Sequence, residues 1–163
     1  MGHPSPILSV IYDITPLVSG RLGVWPGDTP PSREVLLDMR AGASLTLSTL
    51  RATVHLGAHA DAPSHYGLYA PSIEAMSLSY YLGPCQVLRV PVARGALVPA
   101  TVVPRRLAAE RVLLATGTYP DPTVFNEDFA ALSPELIDRL HERGVVLVGI
   151  DTPSVDPDRK SVV

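Results

Sequence analysis

The sequence predicts a single α/β domain built around a buried central sheet. A chain of 163 residues, 46% hydrophobic and 18% charged, has the length of one domain and enough apolar surface to form a core without disulfides or repeats. Short runs rich in Val, Leu, Ile and Thr recur at residues 7–14, 34–39, 45–54, 86–92, 111–115 and 145–150 and read as strands. A well-capped helix precedes the last of these runs.

The 17 prolines are about twice the ordinary proportion of roughly 5% and belong outside helix interiors and central strands, so they mark the joints between elements. The run 145–150 is apolar throughout, as expected of a strand covered on both faces. Ahead of it, Ser133 is a good N-cap, Pro134 suits the first helical position and Glu135 suits the positive end of the helix dipole. Leu136, Ile137 and Leu140 give the helix an apolar stripe, and Arg143 followed by Gly144 ends it. Weaker helical signals lie at 72–76, 78–82 and 104–110. No repeat, heptad or low-complexity linker interrupts the chain, so residues 7–163 read as one domain and 1–6 as a flexible N-terminus.

Charge and cysteine content narrow the function. Thirteen basic against sixteen acidic residues give a net charge of −3; the basic residues are scattered, which argues against a nucleic-acid partner. Apolar runs fall far short of the roughly 20 residues that span a bilayer, and the first residues lack the cationic start and apolar stretch of a signal peptide. The expectation is a cytoplasmic protein acting on a small molecule. The single cysteine, Cys85, excludes a disulfide framework within the chain and reads as buried filler before a strand.

Three of the five histidines fall in one stretch, HLGAHADAPSH, which holds His55, His59, Asp61 and His65. Two imidazoles and a carboxylate form a ligand set that suits zinc, manganese or iron(II). An extended backbone would separate positions 55 and 59 by about 13 Å, too far to share an ion. Gly57 and Pro63 discourage a helix, and the glutamate of the H-E-x-x-H zinc helix is missing. A bent loop leaving the strand near Val54 remains, with Gly57 in an unusual backbone conformation and Pro63 fixing the exit. The plainer reading is a set of surface histidines beside an aspartate. His65 is open to three readings: a further ligand, a general acid/base or a residue without a role. Its ordinary pKa of about 6.5 suits proton transfer. Trp25, the only tryptophan, lies in Trp25-Pro26-Gly27-Asp28, where Pro26 and Gly27 suit the centre of a type II turn. Such a tryptophan either caps the core or walls a ligand pocket. His3 and His141 invite no role.

The stretch HLGAHADAPSH resembles the H-x-G-T/A-H-x-D-x-P-x-H signature of the metal-dependent cyclase-like hydrolases. YDITP at 12–16, VWPGDTP at 24–30, LLATGT at 113–118 and VGIDTPSVDP at 148–157 extend the likeness, which is greatest to the arylformamidase branch. The resemblance implies a swivelling β/β/α fold, a homodimer and hydrolysis of an arylformamide, N-formyl-L-kynurenine, to L-kynurenine and formate in tryptophan degradation. It implies further that His55, His59 and Asp61 hold zinc, two ions per subunit with Asp61 as the bridge, and that manganese or iron(II) are alternatives. His65 then matches the proton donor and acceptor, and Trp25 the residue packed on the substrate's ring. A zinc ion lowers the pKa of bound water to about 7 and polarises a carbonyl; no serine nucleophile is needed, and no G-x-S-x-G elbow occurs in the chain.

Relatives run on for about fifty residues past the segment that matches 148–157, within the ordinary range of single domains, and there carry a histidine and a glutamate of the second metal site. The expectation is therefore a domain incomplete at its C-terminus, with an uncovered sheet edge, one ion instead of two and weakened activity. Two other readings follow: a relative that opens a cyclic amide of the isatin type, and a non-catalytic metal- or ligand-binding remnant.

Overall fold

A computed structural model describes residues 13–156. Seven strands and one α-helix occur among them. Strands β1 (Ser32–Leu37) and β2 (Leu47–Arg51) pair antiparallel, from Ser32 opposite Arg51 to Leu37 opposite Leu47, with an irregularity between Val35 and Leu37. Their connection contains a 3-10 turn, Met39–Ala41, capped by the Asp38 side chain and closed by Gly42 at φ 91°. This ribbon is exposed along nearly its whole length.

The remaining strands are β3 (Cys85–Arg89), β4 (Leu97–Val98), β5 (Arg111–Ala115), β6 (Ala131–Leu132) and β7 (Leu147–Ile150). A three-stranded parallel sheet has the order β3-β5-β7, and β4 and β6 form a short parallel pair. Helix α1 (Pro134–Glu142) connects β6 to β7. Ser133 Oγ accepts from the Leu136 N–H, Pro134 opens the helix, and Gly144 follows at φ 76°, as the sequence predicts. Leu136 and Leu140 are buried against Val90, Val98, Val112, Leu114, Ala130 and Leu132, forming the core. Each leucine contributes about 1.5–3 kcal/mol by leaving water. Ile137, by contrast, is 40% exposed, so the apolar stripe is narrower than its sequence suggests.

Several expectations change on contact with the structure. The strand at 145–150 shortens to β7, which is half-buried because it pairs only with β5 in this sheet; the covered central position belongs to β5, with Val112 and Leu114 at 0% and 1% exposure. Cys85 is exposed and not buried, because exposure alternates along the edge strand β3 and Cys85 lies on its outer face with Val87 and Arg89. The helix expected at 104–110 is absent; its backbone groups bond elsewhere, Ala108 N–H to Gln86 Oε1 and the Arg105 carbonyl to Arg143 Nη1. The segments 72–76 and 78–82 contain only the 3-10 turns Ile73–Ala75 and Leu78–Tyr80. Of the strand expected at 7–14, positions 13 and 14 have no regular structure and the rest, like His3, lies outside the described residues. His141 is exposed on α1.

The C-terminal ends of the parallel strands gather three loops. Asp151, directly after β7, accepts from the Thr116 N–H at 2.9 Å, the Thr116 hydroxyl at 2.7 Å and the Gly117 N–H at 2.8 Å. One carboxylate thus fixes the turn after β5 against the end of β7, beside an open cavity of about 440 Å³ lined also by Arg89 and Val90.

Candidate metal centre

The histidine stretch leaves β2 as a bent loop. Gly57 adopts φ 61°, a left-handed conformation that costs glycine least, and a Cβ there would stand 3.1 Å from Leu22 Cδ2. The turn folds His59 back on its own loop, so that His59 Nδ1 lies 2.8 Å from the Gly57 carbonyl oxygen. A carbonyl only accepts, so Nδ1 carries the proton and Nε2 presents its lone pair. That pairing of one ring nitrogen with a backbone oxygen is what orients a ligating imidazole. Pro63 then starts a 3-10 turn, Pro63–His65, and ends the loop.

His55 Nδ1, His59 Nε2 and Asp61 Oδ1 converge. The two nitrogens are 3.2 Å apart, and the carboxylate oxygen lies 3.0 Å from His55 and 3.6 Å from His59. Donors around a tetrahedral ion with bonds of about 2.0–2.1 Å stand about 3.3–3.4 Å from one another, so the trio fits a divalent cation with little rearrangement. Among the described residues this is the one His/Cys/Asp/Glu group whose ligand atoms all lie within 4.8 Å of each other. The trio is half-buried to exposed, which leaves an open side for a small molecule.

His65 stands beside the trio, its ring centroid 4.4 Å from that of His55 and tilted by 50°. Tyr66 packs edge-on against His65 at 4.5 Å. Burial, followed by the charges of Asp61 and Asp156, pushes the Tyr66 phenol above its ordinary pKa, partly offset by a hydrogen bond with Ser154. The loop after β7 therefore borders the histidine stretch. Sequence reasoning assigned Tyr66 nothing; its place directly after His65 was the one available signal.

Residues 22–28 join the metal loop to an aromatic cluster. Leu22 packs on Gly57, and the Gly23 N–H bonds to the Pro122 carbonyl at 2.8 Å. The predicted turn forms, with the Asp28 N–H on the Trp25 carbonyl at 2.9 Å and Gly27 at φ 95°. Asp28 Oδ2 accepts from Thr53 Oγ1 at 2.9 Å, and that hydroxyl oxygen accepts from the His55 N–H at 3.3 Å. Trp25 is half-buried and packs edge-to-face on Phe125 at 5.3 Å and on buried Phe129 at 6.0 Å. Trp25 thus rests on core rings and also lines a cavity of about 190 Å³ with Pro26, Phe125 and Glu127.

Comparison with known proteins agrees with this geometry. The Cyclase family model matches residues 12–157. A kynurenine formamidase of Bordetella petrii is 40% identical over 151 residues, which cover 90% of this chain and 71% of that protein. A protein described as a predicted metal-dependent hydrolase of Bacillus stearothermophilus has the same fold, with a TM-score of 0.72 at 20% identity over 93% of this chain and 73% of its own. Another, described as a potential metal-dependent hydrolase with cyclase activity, gives a TM-score of 0.72 at 20% identity over 91% and 71%. The family match runs from before the β1–β2 ribbon to the loop after β7 and takes in the whole histidine stretch, and the chain belongs to the Cyclase family.

Proposed function

We propose that this chain hydrolyses the formamide bond of N-formyl-L-kynurenine, releasing L-kynurenine and formate. The observation that carries the reading is the convergence of His55 Nδ1, His59 Nε2 and Asp61 Oδ1 within 4.8 Å, in a chain 40% identical to a kynurenine formamidase. In this reading the three residues hold a divalent cation, zinc by the character of the donors, and the described residues offer one such site. Bound there, the ion supplies Lewis-acid chemistry: it activates water and polarises a carbonyl.

The chain's own residues do the rest. His59, fixed by the Gly57 carbonyl, keeps one nitrogen directed at the site. His65 is the acid/base: it takes a proton from the attacking water as the C–O bond forms, then gives one to the arylamine nitrogen as the C–N bond breaks. Its exposure and its closeness to the His55 ring leave it able to reach substrate and exchange protons with solvent. Trp25 supports the aromatic ring of the substrate beside the site. The β1–β2 ribbon, with Leu36, Leu47 and Leu50 exposed, supports a homodimer in which a second copy covers apolar surface. No helix among the described residues is long and apolar enough to cross a membrane.

The test is the appearance of L-kynurenine from N-formyl-L-kynurenine with the wild-type chain and with His65→Ala. Turnover by the wild type and a loss of about 100-fold or more in the variant, with metal retained, support the reading. Hydrolysis of isatin in preference to the formamide would replace the substrate. Unchanged turnover in the variant would remove His65 from the chemistry, and metal binding without any turnover would leave a binding protein.

A further inference from the structure

The turn that carries His65 has a fixed backbone. The Ser64 N–H bonds to the Pro71 carbonyl at 3.0 Å, the His65 N–H to the Ala62 carbonyl at 2.9 Å and the Gly67 N–H to the Pro63 carbonyl at 2.9 Å. The imidazole itself is held differently from that of His59. His59 keeps a ring nitrogen on the Gly57 carbonyl, whereas neither ring nitrogen of His65 meets a hydrogen-bond partner among the described residues. Two rings orient it instead: His55, tilted by 50° at 4.4 Å, and Tyr66, edge-on at 4.5 Å with an interplanar angle of 74°. Edge-to-face packing of this kind restricts the torsions of an exposed side chain.

We propose that Tyr66 is a positioning residue for His65: its ring sets the orientation of the imidazole, and its phenol ties that ring to the loop after β7. The proposal rests on the formamidase reading, in which His65 is the acid/base, and deepens it. The phenol makes a hydrogen bond with the Ser154 side chain, and Ser154 stands on an anchored loop. Ser154 Oγ accepts from the Asp156 N–H at 3.1 Å, and the Ser154 carbonyl accepts from Thr152 Oγ1 at 2.9 Å. The Val155 carbonyl accepts from the Leu132 N–H at 2.9 Å, which bonds the loop to β6. At the start of the loop, Asp151 accepts from the Thr116 and Gly117 N–H groups. The path from Ser154 through Tyr66 to His65 therefore refers the imidazole to the strands of the core. A group that serves first the attacking water and then the arylamine nitrogen has to keep one position, and a misplacement of about 1 Å is costly to the rate.

The zinc-loaded full chain is compared with Tyr66→Phe, which keeps the ring and loses the phenol bond, with Ser154→Ala, which removes the partner, with their double variant, and with Tyr66→Leu, which removes the ring. The kcat for N-formyl-L-kynurenine falls about fivefold in Tyr66→Phe and in Ser154→Ala, the scale of one hydrogen bond. It falls no further in the double variant, because both changes break the same link. Tyr66→Leu loses about tenfold or more, short of the 100-fold expected of His65→Ala. KM and zinc affinity stay at their wild-type values. In Tyr66→Phe and Ser154→Ala, which keep the aromatic ring beside His65, the ring-proton NMR signals of His65 move and those of His59 do not; this reads the orientation without turnover. Ser154→Ala, outside the histidine stretch, carries the test should Tyr66→Leu fail to fold. Wild-type kcat in Tyr66→Leu, additive losses in the double variant, an unmoved His65 signal or a parallel fall in zinc affinity would overturn the proposal. If the wild type fails to hydrolyse the formamide, the catalytic reading falls and the ring signals decide: a shift confined to His65 retains the positioning role, and unmoved signals reject it.

Discussion

Thr53 and Asp28 tie the metal loop to the tryptophan turn: Thr53 Oγ1 donates to Asp28 Oδ2 at 2.9 Å and accepts from the His55 N–H at 3.3 Å. One hydroxyl thereby sets the position of a candidate metal ligand relative to the turn that carries Trp25.

Thr53→Val keeps the shape of the side chain and removes both hydrogen bonds. A loss of about 1 kcal/mol is expected, seen as a fall in Tm of about 2–4 °C for a chain of this size. Zinc affinity should fall by about 10-fold, the lower end for a residue that orients a ligand indirectly. Thermal melts and zinc titration of the variant check both; unchanged zinc affinity would separate Thr53 from the site.

Gly57→Ala forces a side chain into a backbone conformation of φ 61° and brings its Cβ to 3.1 Å from Leu22 Cδ2. A cost of about 1–3 kcal/mol follows from the strain. The Gly57 carbonyl also orients His59, so zinc binding should weaken along with stability. Gly42→Ala, at φ 91° with nothing within 4 Å of its Cβ, is the control: it should lower stability and leave zinc affinity unchanged.

Asp128 is held below the usual carboxylate range, chiefly by the hydrogen bond from Arg94. A depressed folded pKa contributes stability above the unfolded value of about 3.9, and that contribution disappears as pH falls through the lower folded value. Asp128→Asn should therefore flatten the acid limb of the stability curve below about pH 4, and added salt should shrink the difference. Denaturant melts across that range measure it. An acid limb identical to that of the wild type would contradict the assignment.

Tyr66 shows the opposite sign. Its raised pKa, due first to burial and then to Asp61 and Asp156, means that the unfolded chain releases the phenolic proton first, near the ordinary value of about 10. Stability then falls as pH rises from there through the folded value. Tyr66→Phe should remove that part of the alkaline slope, and a variant with the full slope would rule Tyr66 out as its source.

Local signals in the sequence were the reliable ones. Ser133, Pro134 and Gly144 specify α1 through their own backbone preferences, and Gly57 with Pro63 specifies a bent loop, so the site's donor set was legible before any fold was known. What joins distant segments was not. The Asp28–Thr53 bond spans 25 positions, and the contact of Trp25 with Phe125 depends on how the 22–28 turn docks on the segment around Pro122. The exposure of Cys85 follows from β3 lying at a sheet edge, and an apolar neighbourhood in sequence carries no record of strand order. At 104–110 a weak helical propensity lost to hydrogen bonds with Gln86 and Arg143, tertiary partners that no local pattern reveals.

The central claim is that the cluster of His55, His59 and Asp61 holds the ion on which formamide hydrolysis depends. Zinc titrated into the metal-stripped chain, with formation of L-kynurenine followed at each addition, tests it most directly. Activity is predicted to rise from near zero and level off at one zinc per chain, with no such rise in His59→Ala. Turnover that needs no metal, or that His59→Ala preserves in full, would contradict it.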